Sequence, residues 1–180
     1  MLIELAKSSR SWLRHHLFGR SVRLPLALVM LLAITVANLE WNDMPNSVKG
    51  PAEVRDGDSL VIGKHRVRLY GIDAPEREQN CQKNNQRWAC GRAAQRHLAR
   101  MIGNHYVECT VIKRDRFDRL LARCQAGKRD LNRQMIRDGM AVRFGKEYRE
   151  EEQHARRDKD GVWNSKFQKP RQWRLENGRR

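Results

Sequence analysis

The chain has few acidic residues and none of the cysteine or histidine spacings of a zinc-binding protein. Its four cysteines include no Cys-x-x-Cys pair, and no pair of histidines complements them at zinc-finger spacing. No internal repeat or low-complexity run is visible. These absences argue against a zinc finger and against a repeat architecture. The chain has 180 residues, which is enough for one domain with its own core and a tail.

The shortage of acids leaves a large excess of positive charge. Lysine and arginine total 37 against 21 aspartates and glutamates, for a net charge of +16. Residues 1–23 contribute +4 and residues 24–45 contribute −2, so +14 remains for the rest of the chain. A folded region this basic predicts a polyanionic partner, with nucleic acid the commonest and an anionic membrane surface second.

The longest uncharged run lies near the N-terminus and is short for a membrane span. Residues 1–23 form a basic segment, and residues 24–39 are apolar, with no charge in the first fourteen. This pattern predicts either an export signal or a signal anchor that contacts the membrane, whereas Pro25 and the asymmetric charges fit a buried core helix poorly. Both readings predict an extracytoplasmic location, on the periplasmic side. We predict no protein partner.

The cysteines agree with an oxidising compartment, where two disulfides are expected. Four cysteines allow three pairings. Cys109 and Cys124 flank a predicted hairpin almost symmetrically, and a Cys81–Cys90 bond would close a polar loop, so these two pairs are favoured. Each would contribute about 2–4 kcal/mol.

Periodicity predicts a mixed fold in which the strands come early. A strand at residues 52–55, a hairpin around residues 60–62 and 67–69, and a second hairpin at 106–112 and 120–125 make five strands. Helical spacing covers residues 90–102, 130–138 and 147–159. We therefore predict an α+β fold: a five-stranded OB-fold β-barrel capped by about three α-helices, with an N-terminal hydrophobic helix. Residues 40–50 are predicted to be a linker, 51–175 the domain and 176–180 a basic tail.

Carboxylates stand at both ends of the first hairpin. Asp56 and Asp58 precede its first strand, and Asp73 and Glu76 follow its second. Taken alone, each of these acids has an ordinary explanation, as a turn residue or as a residue at the start of a helix. However, an antiparallel hairpin brings these ends together, with Arg68 between them. Acids and an arginine at one sheet edge can hold a hard cation and contact a phosphate, so we predict a metal-dependent phosphoester site.

Three motifs in order resemble those of the thermonucleases, also called staphylococcal or micrococcal nuclease-like proteins. They are Asp-Gly-Asp-Ser at 56–59, Arg-Leu-Tyr-Gly-Ile-Asp-Ala-Pro-Glu at 68–76 and Asp-Arg-Phe-Asp-Arg at 115–119. The similarity runs from about residue 52 to residue 163. The cysteines and the closing residues resemble the exported bacterial branch of the family, the closing residues being Phe167, Pro170, Trp173 and Arg174. The resemblance implies a Ca²⁺-dependent endonuclease that cleaves DNA and RNA with little sequence specificity and leaves 3′-phosphate ends.

The resemblance also implies roles for single residues. Asp58, Asp73 and the carbonyl of Ala74 would bind Ca²⁺. Arg68 and Arg119 would hold the scissile phosphate, and Glu76 would orient or deprotonate the attacking water. Further substrate contacts are expected from a basic loop and from one aromatic residue: Lys83, Arg87 and Tyr148.

Two departures from the family pattern carry hypotheses of their own. Asp118 stands where the family usually has glycine, and we predict that it tolerates a left-handed turn but weakens the field of Arg119 or adds an outer metal contact. Phe144 lies near an expected substrate-contacting tyrosine, which Tyr148 would replace.

Two other functions fit the composition. One is a catalytically inactive OB-fold module that binds nucleic acid, and the other is a secreted domain that binds anionic envelope polymers by charge alone. The combination of Arg68, Glu76 and Arg119 argues against the first, and the acidic cluster is unexplained by the second.

Overall fold

The structure is a computed structural model that describes residues 27–33 and 44–178. Residues 27–33 are helical, within the predicted signal or anchor segment. The rest of residues 24–39, the basic segment 1–23 and the start of the linker lie outside the described residues. Among the residues described, no helix has the length and apolar character needed to cross a bilayer.

Strands in the described part of the chain form one large sheet and two small ones. They lie, in chain order, at β1 (Ser47–Gly50), β2 (Ala52–Asp56), β3 (Ser59–Ile62), β4 (His65–Leu69), β5 (Ile72–Asp73), β6 (Cys81–Lys83), β7 (Gln86–Trp88), β8 (Val107–Arg114), β9 (Leu120–Ala126), β10 (Arg129–Asp130) and β11 (Val142–Arg143). The large sheet has the order β1-β8-β9-β4-β3-β2, with β10 paired to β9. Strands β5 and β11 form a second sheet, and β6 and β7 a third.

The five predicted strands are β2, β3, β4, β8 and β9. All neighbours among them pair antiparallel except β4 and β9, which run parallel with Val67 beside Leu120. This meander followed by a return hairpin is the strand arrangement expected of an OB-fold. The α+β prediction is therefore confirmed, and β1 and β10 extend the predicted sheet.

Strand β1 corrects the predicted linker. Residues 47–50 pair antiparallel with β8, with Val48 opposite Cys109, and Val48 is buried. A stretch with one apolar side chain among polar residues has no strand periodicity of its own. It becomes a strand because the edge of β8 offers unpaired backbone groups.

Four α-helices pack on this sheet or follow it within residues 44–178. They are α1 (Cys90–Ile102), α2 (Leu131–Arg137), α3 (Arg149–Asp158) and α4 (Pro170–Glu176), and a 3₁₀ turn at Gly161–Asn164 precedes α4. Helix α1 has the predicted bounds. Asp130 caps α2 as predicted, because its carboxylate accepts a hydrogen bond from the backbone N–H of Arg133 at 3.0 Å. Helix α4 was not predicted, and it ends at Glu176, the first residue of the predicted tail.

The core lies between the sheet and the helices. Its buried members include Leu60, Leu69, Leu98, Leu120 and Met135. A smaller cluster surrounds the disulfide of Cys81 and Cys90, with Trp163 and Phe167 packed against it. The rings of Trp163 and Phe167 meet edge to face at 5.1 Å. These two aromatics therefore pack as part of the tail, as expected, rather than forming a platform for bases.

The polar stretch after Glu76 is not an open loop but a hairpin that a disulfide joins to α1, which we call the stapled hairpin. Strands β6 and β7 meet at Asn84 and Asn85, whose φ values of 51° and 60° are those of a tight two-residue turn. The disulfide Cys81–Cys90 joins this hairpin to α1, and Cys109–Cys124 joins directly opposite residues of β8 and β9. Both favoured pairings are confirmed.

Candidate active site

Asp58 and Asp73 come together at the edge of the sheet, on either side of Arg68. Asp58 follows β2 in the turn to β3, and Asp73 ends β5; both are only 3% exposed. One guanidinium nitrogen of Arg68, Nη2, lies 2.7 Å from Oδ2 of Asp58 and 2.7 Å from Oδ1 of Asp73. The two carboxylates therefore converge on one point, as the hairpin predicted.

The Asp-Gly-Asp turn is held by close packing at its glycine. A Cβ on Gly57 would lie 2.7 Å from the Cβ of Ala74 and 2.8 Å from that of Ala94. Gly57 does not have a positive φ, so its role is to let the turn approach α1 and the Asp73 segment. This close approach places Asp58 against the segment that carries Asp73.

The Asp58 carboxylate is oriented by its neighbours. The backbone N–H of Ala74 donates to Oδ2 at 3.1 Å, and the hydroxyl of Ser59 donates to Oδ1 at 2.9 Å. The backbone N–H of Asp58 donates in turn to Oδ1 of Asp56 at 3.1 Å. Asp56 thus supports Asp58 through its backbone.

Asp73 is positioned through β11 and α3. Strand β5 pairs with β11, so that Asp73 lies opposite Val142. The buried carboxylate of Glu152, on α3, accepts hydrogen bonds from the backbone N–H and the guanidinium of Arg143, each at 3.1 Å. Glu152 also pairs with Arg156, one turn later on the same helix, at 3.1 Å. Helix α3 therefore fixes the position of β11, the strand that pairs with β5 at Asp73.

Glu76 is held by a fully buried glutamine that sequence reasoning missed. The backbone N–H of Glu76 donates to Oε1 of Gln79 at 3.2 Å, and Nε2 of Gln79 donates to the carbonyl of Gln168 at 2.6 Å. A Cβ on Gly91 would lie 1.7 Å from the carbonyl oxygen of Glu76. The first turn of α1 thus lies directly against the Glu76 backbone, which leaves room only for glycine.

Arg174, on α4, completes the cluster. Its Nη1 lies 2.8 Å from Oδ1 of Asp73 and 2.8 Å from Oε1 of Glu76, and its Nη2 lies 3.1 Å from Oδ2 of Asp73. Sequence reasoning gave Arg174 no role, because about a hundred residues separate it from its partners. Its presence among the closing residues of the family branch was the one signal available.

Burial shifts the pKa values of the cluster. It raises the pKa of Asp56 to about 7, and the charge of Asp58 adds to this effect. Burial also raises the pKa of Asp73, although Arg174 and Arg68 oppose the shift. Burial acts to lower the pKa of both arginines, but their carboxylate partners outweigh it and hold the pKa of each above its usual value. Asp58, Asp73 and Glu76 thus place three carboxyl groups against two guanidinium groups, so the cluster can accommodate additional positive charge.

This donor set fits a calcium ion. Ca²⁺ prefers hard oxygen ligands and tolerates irregular geometry, and the buried carboxylates of Asp58 and Asp73 supply such oxygens side by side. The N–H of Ala74 faces Asp58, and the role of its carbonyl as a ligand stays a prediction. In the described ranges, ligand atoms of His154, Asp158 and Asp160 also lie within 4.8 Å of one another, but these side chains are exposed or half-buried at the end of α3.

Arg119 directly precedes β9, the strand that pairs with β4, but it is held by another acid. Arg68 pairs with Leu121, two residues after Arg119. The guanidinium of Arg119 lies 2.8 Å from Oδ2 of Asp115. Asp118 has the predicted left-handed φ, 62°, but its carboxylate pairs with Arg114. Asp115 thus pairs directly with Arg119, and the effect of Asp118 on Arg119 stays a prediction.

Lys83 and Arg87 are both exposed on the stapled hairpin but lie on opposite faces of it. Arg87 pairs with Gln82, and Lys83 pairs with Gln86, so the two cations alternate. Arg87 lines an open groove of 640 Å³ together with Lys166, and Lys83 lines a second groove of 440 Å³ together with Lys159. The two residues were predicted as one substrate-binding loop, and the structure assigns them to separate grooves.

Tyr148 and Phe144 both lie beside Gly71, next to β5. A Cβ on Gly71 would lie 2.9 Å from the ring of Tyr148, which is half-buried. The N–H of Phe144 donates to the carbonyl of Gly71 at 2.8 Å, and its ring is 57% exposed. Burial raises the pKa of the Tyr148 hydroxyl. Tyr148 thus packs close to Asp73, and its contact with substrate stays a prediction.

Known proteins are similar to this chain to different extents. Residues 66–165 match the family described as Staphylococcal nuclease homologue. The chain is 32% identical over 123 residues to the succinoglycan biosynthesis protein ExoI of Rhizobium meliloti, with 64% of each protein covered. It is 34% identical over 120 residues to the probable endonuclease LCL3 of Scheffersomyces stipitis, covering 54% of this chain and 47% of that protein. It is also 29% identical over 182 residues to Protein ParB of Escherichia coli, covering 89% and 96%. The chain thus spans about half to two-thirds of the length of the first two relatives.

Proposed function

The chain belongs to the staphylococcal nuclease homologue family, and from this premise we propose that it is a Ca²⁺-dependent endonuclease. It would hydrolyse phosphodiester bonds of DNA and RNA with little sequence specificity and leave 3′-phosphate ends. The observation that carries the proposal is the convergence of Asp58 and Asp73 on Arg68, with Glu76 joined to the same cluster through Arg174. The residues proposed as metal ligands, as phosphate-binding cation and as acid for the water thus lie together.

Asp58, Asp73 and the carbonyl of Ala74 would hold the ion. When bound, Ca²⁺ would supply positive charge to the phosphate oxygens as their negative charge grows. Burial of the two carboxylates favours binding, because an ion pair in a site of low dielectric is stronger than one in water.

Arg68 and Arg119 would donate hydrogen bonds to the phosphate oxygens. Arg68 lies on β4 and Arg119 directly before its partner strand β9, and a planar guanidinium matches two oxygens of a phosphate. Their attraction is stronger for the transition state, where phosphate charge is greater, so they would raise the rate rather than only the affinity. The bonds of Arg119 to Asp115 use Nε and Nη2, so Nη1 would donate to the substrate.

Glu76 would orient the attacking water and accept its proton. Its side chain is 15% exposed, which is enough for a water to reach it from the cluster. The water oxygen bonds to phosphorus while the bond to the 5′ oxygen breaks, and that oxygen leaves with a proton. The products are a 3′-phosphate and a 5′-hydroxyl, so the atoms balance.

Charge and disulfides support the remaining assignments. The two basic grooves that contain Arg87 and Lys83 would attract the backbone of DNA or RNA without reading its sequence. The disulfides Cys81–Cys90 and Cys109–Cys124 favour an oxidising compartment, and we infer an extracytoplasmic location on the periplasmic side. Attachment to the membrane through residues 24–39, or removal of that segment as an export signal, stays a prediction.

The test is cleavage of denatured DNA and of RNA by the full chain, with Ca²⁺ or with a chelator. We expect cleavage only with Ca²⁺, and ends that a polymerase extends only after 3′-phosphatase treatment. Arg68→Lys should lower the rate about 100-fold or more. The control is Arg55→Lys, the same substitution at an exposed arginine that pairs with Glu53, and it should leave the rate unchanged.

Two results would change the proposal. Cleavage at equal rates with chelator would refute the calcium dependence. Binding of nucleic acid without cleavage under any of these conditions would favour the inactive OB-fold binding module instead.

A further inference from the structure

Arg174 occupies the oxygens that the proposed metal and water need. Its Nη1 bridges Oδ1 of Asp73 and Oε1 of Glu76, and its Nη2 contacts Oδ2 of Asp73. Oδ1 of Asp73 also accepts from Arg68. Both oxygens of Asp73 therefore already accept hydrogen bonds from cations of the chain itself.

The segment that carries Arg174 is docked at two points before α4 begins. Backbone hydrogen bonds of 2.9 and 2.8 Å join Gln82 to Lys166, and the carbonyl of Gln168 accepts the 2.6 Å bond from Gln79. In α4 itself only Pro170 is buried. The attachment to the domain is thus firm at its start, and the helix beyond it has little core packing to hold it.

This contrast separates Arg174 from Arg68. Arg68 lies within β4, in the middle of the large sheet, so its backbone is fixed and only its side chain can move. Arg174 can leave when a seven-residue helix turns away about its docked start. Of the two guanidinium groups, Arg174 is therefore the one that a stronger ligand of the carboxylates would displace.

We propose that Arg174 is a built-in counter-ion that competes with the divalent cation for Asp73 and Glu76, so that α4 acts as a latch on the metal site. This inference rests on the proposed function insofar as Asp73 is taken as a metal ligand. A cation of charge +2 and a guanidinium within hydrogen-bond distance of the same carboxylate repel each other at close range. Metal binding must therefore include the cost of breaking three hydrogen bonds to Arg174.

The opposite role makes the opposite prediction. If Arg174 instead positioned Asp73 and Glu76 for the metal, its removal would disorder the ligands and weaken binding. The sign of the change in affinity therefore decides between competition and positioning.

The experiment measures Ca²⁺ binding by titration calorimetry on the full chain, without substrate. We expect Arg174→Gln to lower the Kd for Ca²⁺ by about tenfold or more, which corresponds to about 1.4 kcal/mol. It should also lower the melting temperature of the metal-free protein, because Asp73 and Glu76 each lose one cationic partner. Arg171→Gln is the matched control: it removes the same charge from an exposed position of the same helix and should leave the Kd unchanged.

A second measurement uses the unaltered protein and does not depend on folding of the variant. Hydrogen exchange of the backbone amides of residues 171–176 should become faster when Ca²⁺ is added, because the latch opens. An unchanged or higher Kd for Arg174→Gln, or slower exchange with Ca²⁺, would overturn the proposal. Absence of Ca²⁺ binding in both proteins would overturn the latch and the metal assignment together. Intact Ca²⁺ binding without nuclease activity would count only against the proposed function.

Discussion

Replacement of Gly91 by alanine tests how α1 positions the candidate site. Gly91 is the second residue of α1, where helix propensity alone predicts that alanine stabilises the protein by up to about 1 kcal/mol. In the structure, however, its Cβ would lie 1.7 Å from the carbonyl oxygen of Glu76 and 2.6 Å from the carbonyl carbon. Packing and helix propensity thus predict opposite signs for the change in stability that this substitution causes.

The magnitude follows from the atoms that must move. Ordinary contacts of a Cβ begin at 3.4 Å, so the two backbone segments would have to separate by roughly 1.5 Å or more. Backbone cannot rotate away as a long side chain does, which places the cost at the upper end of overpacking, about 3 kcal/mol. The 3.2 Å hydrogen bond from the N–H of Gly91 to the carbonyl of Gln79 would also weaken, at about 1 kcal/mol. After the gain in propensity, the net loss is about 3 kcal/mol.

Urea unfolding of Gly91→Ala and Gly63→Ala measures this difference. A Cβ on Gly63 would meet no atom within 4 Å, so its cost is that of a positive φ alone, about 1–2 kcal/mol. Gly91→Ala should also lower nuclease activity in the folded protein, because it displaces Glu76, whereas Gly63→Ala should not. A more stable Gly91→Ala protein, or a loss no larger than that of Gly63→Ala, would refute the reasoning.

Three further predictions follow from other contacts. The pKa of Asp115 is held below its usual value because hydrogen bonds to Arg119 and nearby backbone outweigh burial, so the ionised group stabilises the fold above about pH 4. Asp115→Asn should be less stable than the parent at pH 7, and this difference should vanish as the pH falls through the lowered pKa in urea titrations. Asn132→Ala should cost about 3 kcal/mol, because its buried amide bonds three backbone groups; a loss below 1 kcal/mol in the same assay would contradict this. Serine at both Cys81 and Cys90 should lower stability by about 2–3 kcal/mol, and an unchanged unfolding midpoint would show that the disulfide does not stabilise the hairpin.

The site combines a rigid part with a movable one. Arg68 belongs to the large sheet, Asp58 lies in a turn between two of its strands, and Asp73 is positioned by β11 and α3. Arg174, by contrast, lies on a helix outside the sheet and pairs with Asp73 and Glu76. In the proposed enzyme, metal binding would therefore require an exchange of ion pairs in addition to new contacts.

Much of the fold was predictable because its signals are local. Alternation at residues 60–69 and helical spacing at 90–102 identified β3, β4 and α1, since side-chain periodicity depends only on neighbours along the chain. The turn at Asn84 and Asn85 was missed, although two adjacent asparagines are a recognisable signal for such a hairpin. Strand β1 had no local signal, because its partner β8 is about sixty residues away.

By itself the sequence determined that two acid pairs and Arg68 meet at one sheet edge, because a hairpin joins its own ends whatever surrounds it. It also determined family membership, since the motifs that carry it are contiguous. Only the tertiary structure decided that Arg174 bonds Asp73 and Glu76, that Gln79 fastens Glu76, and that Gly57 and Gly91 are needed for close approach. These contacts join segments that are distant along the chain, and they exist only after the helices have packed against the sheet.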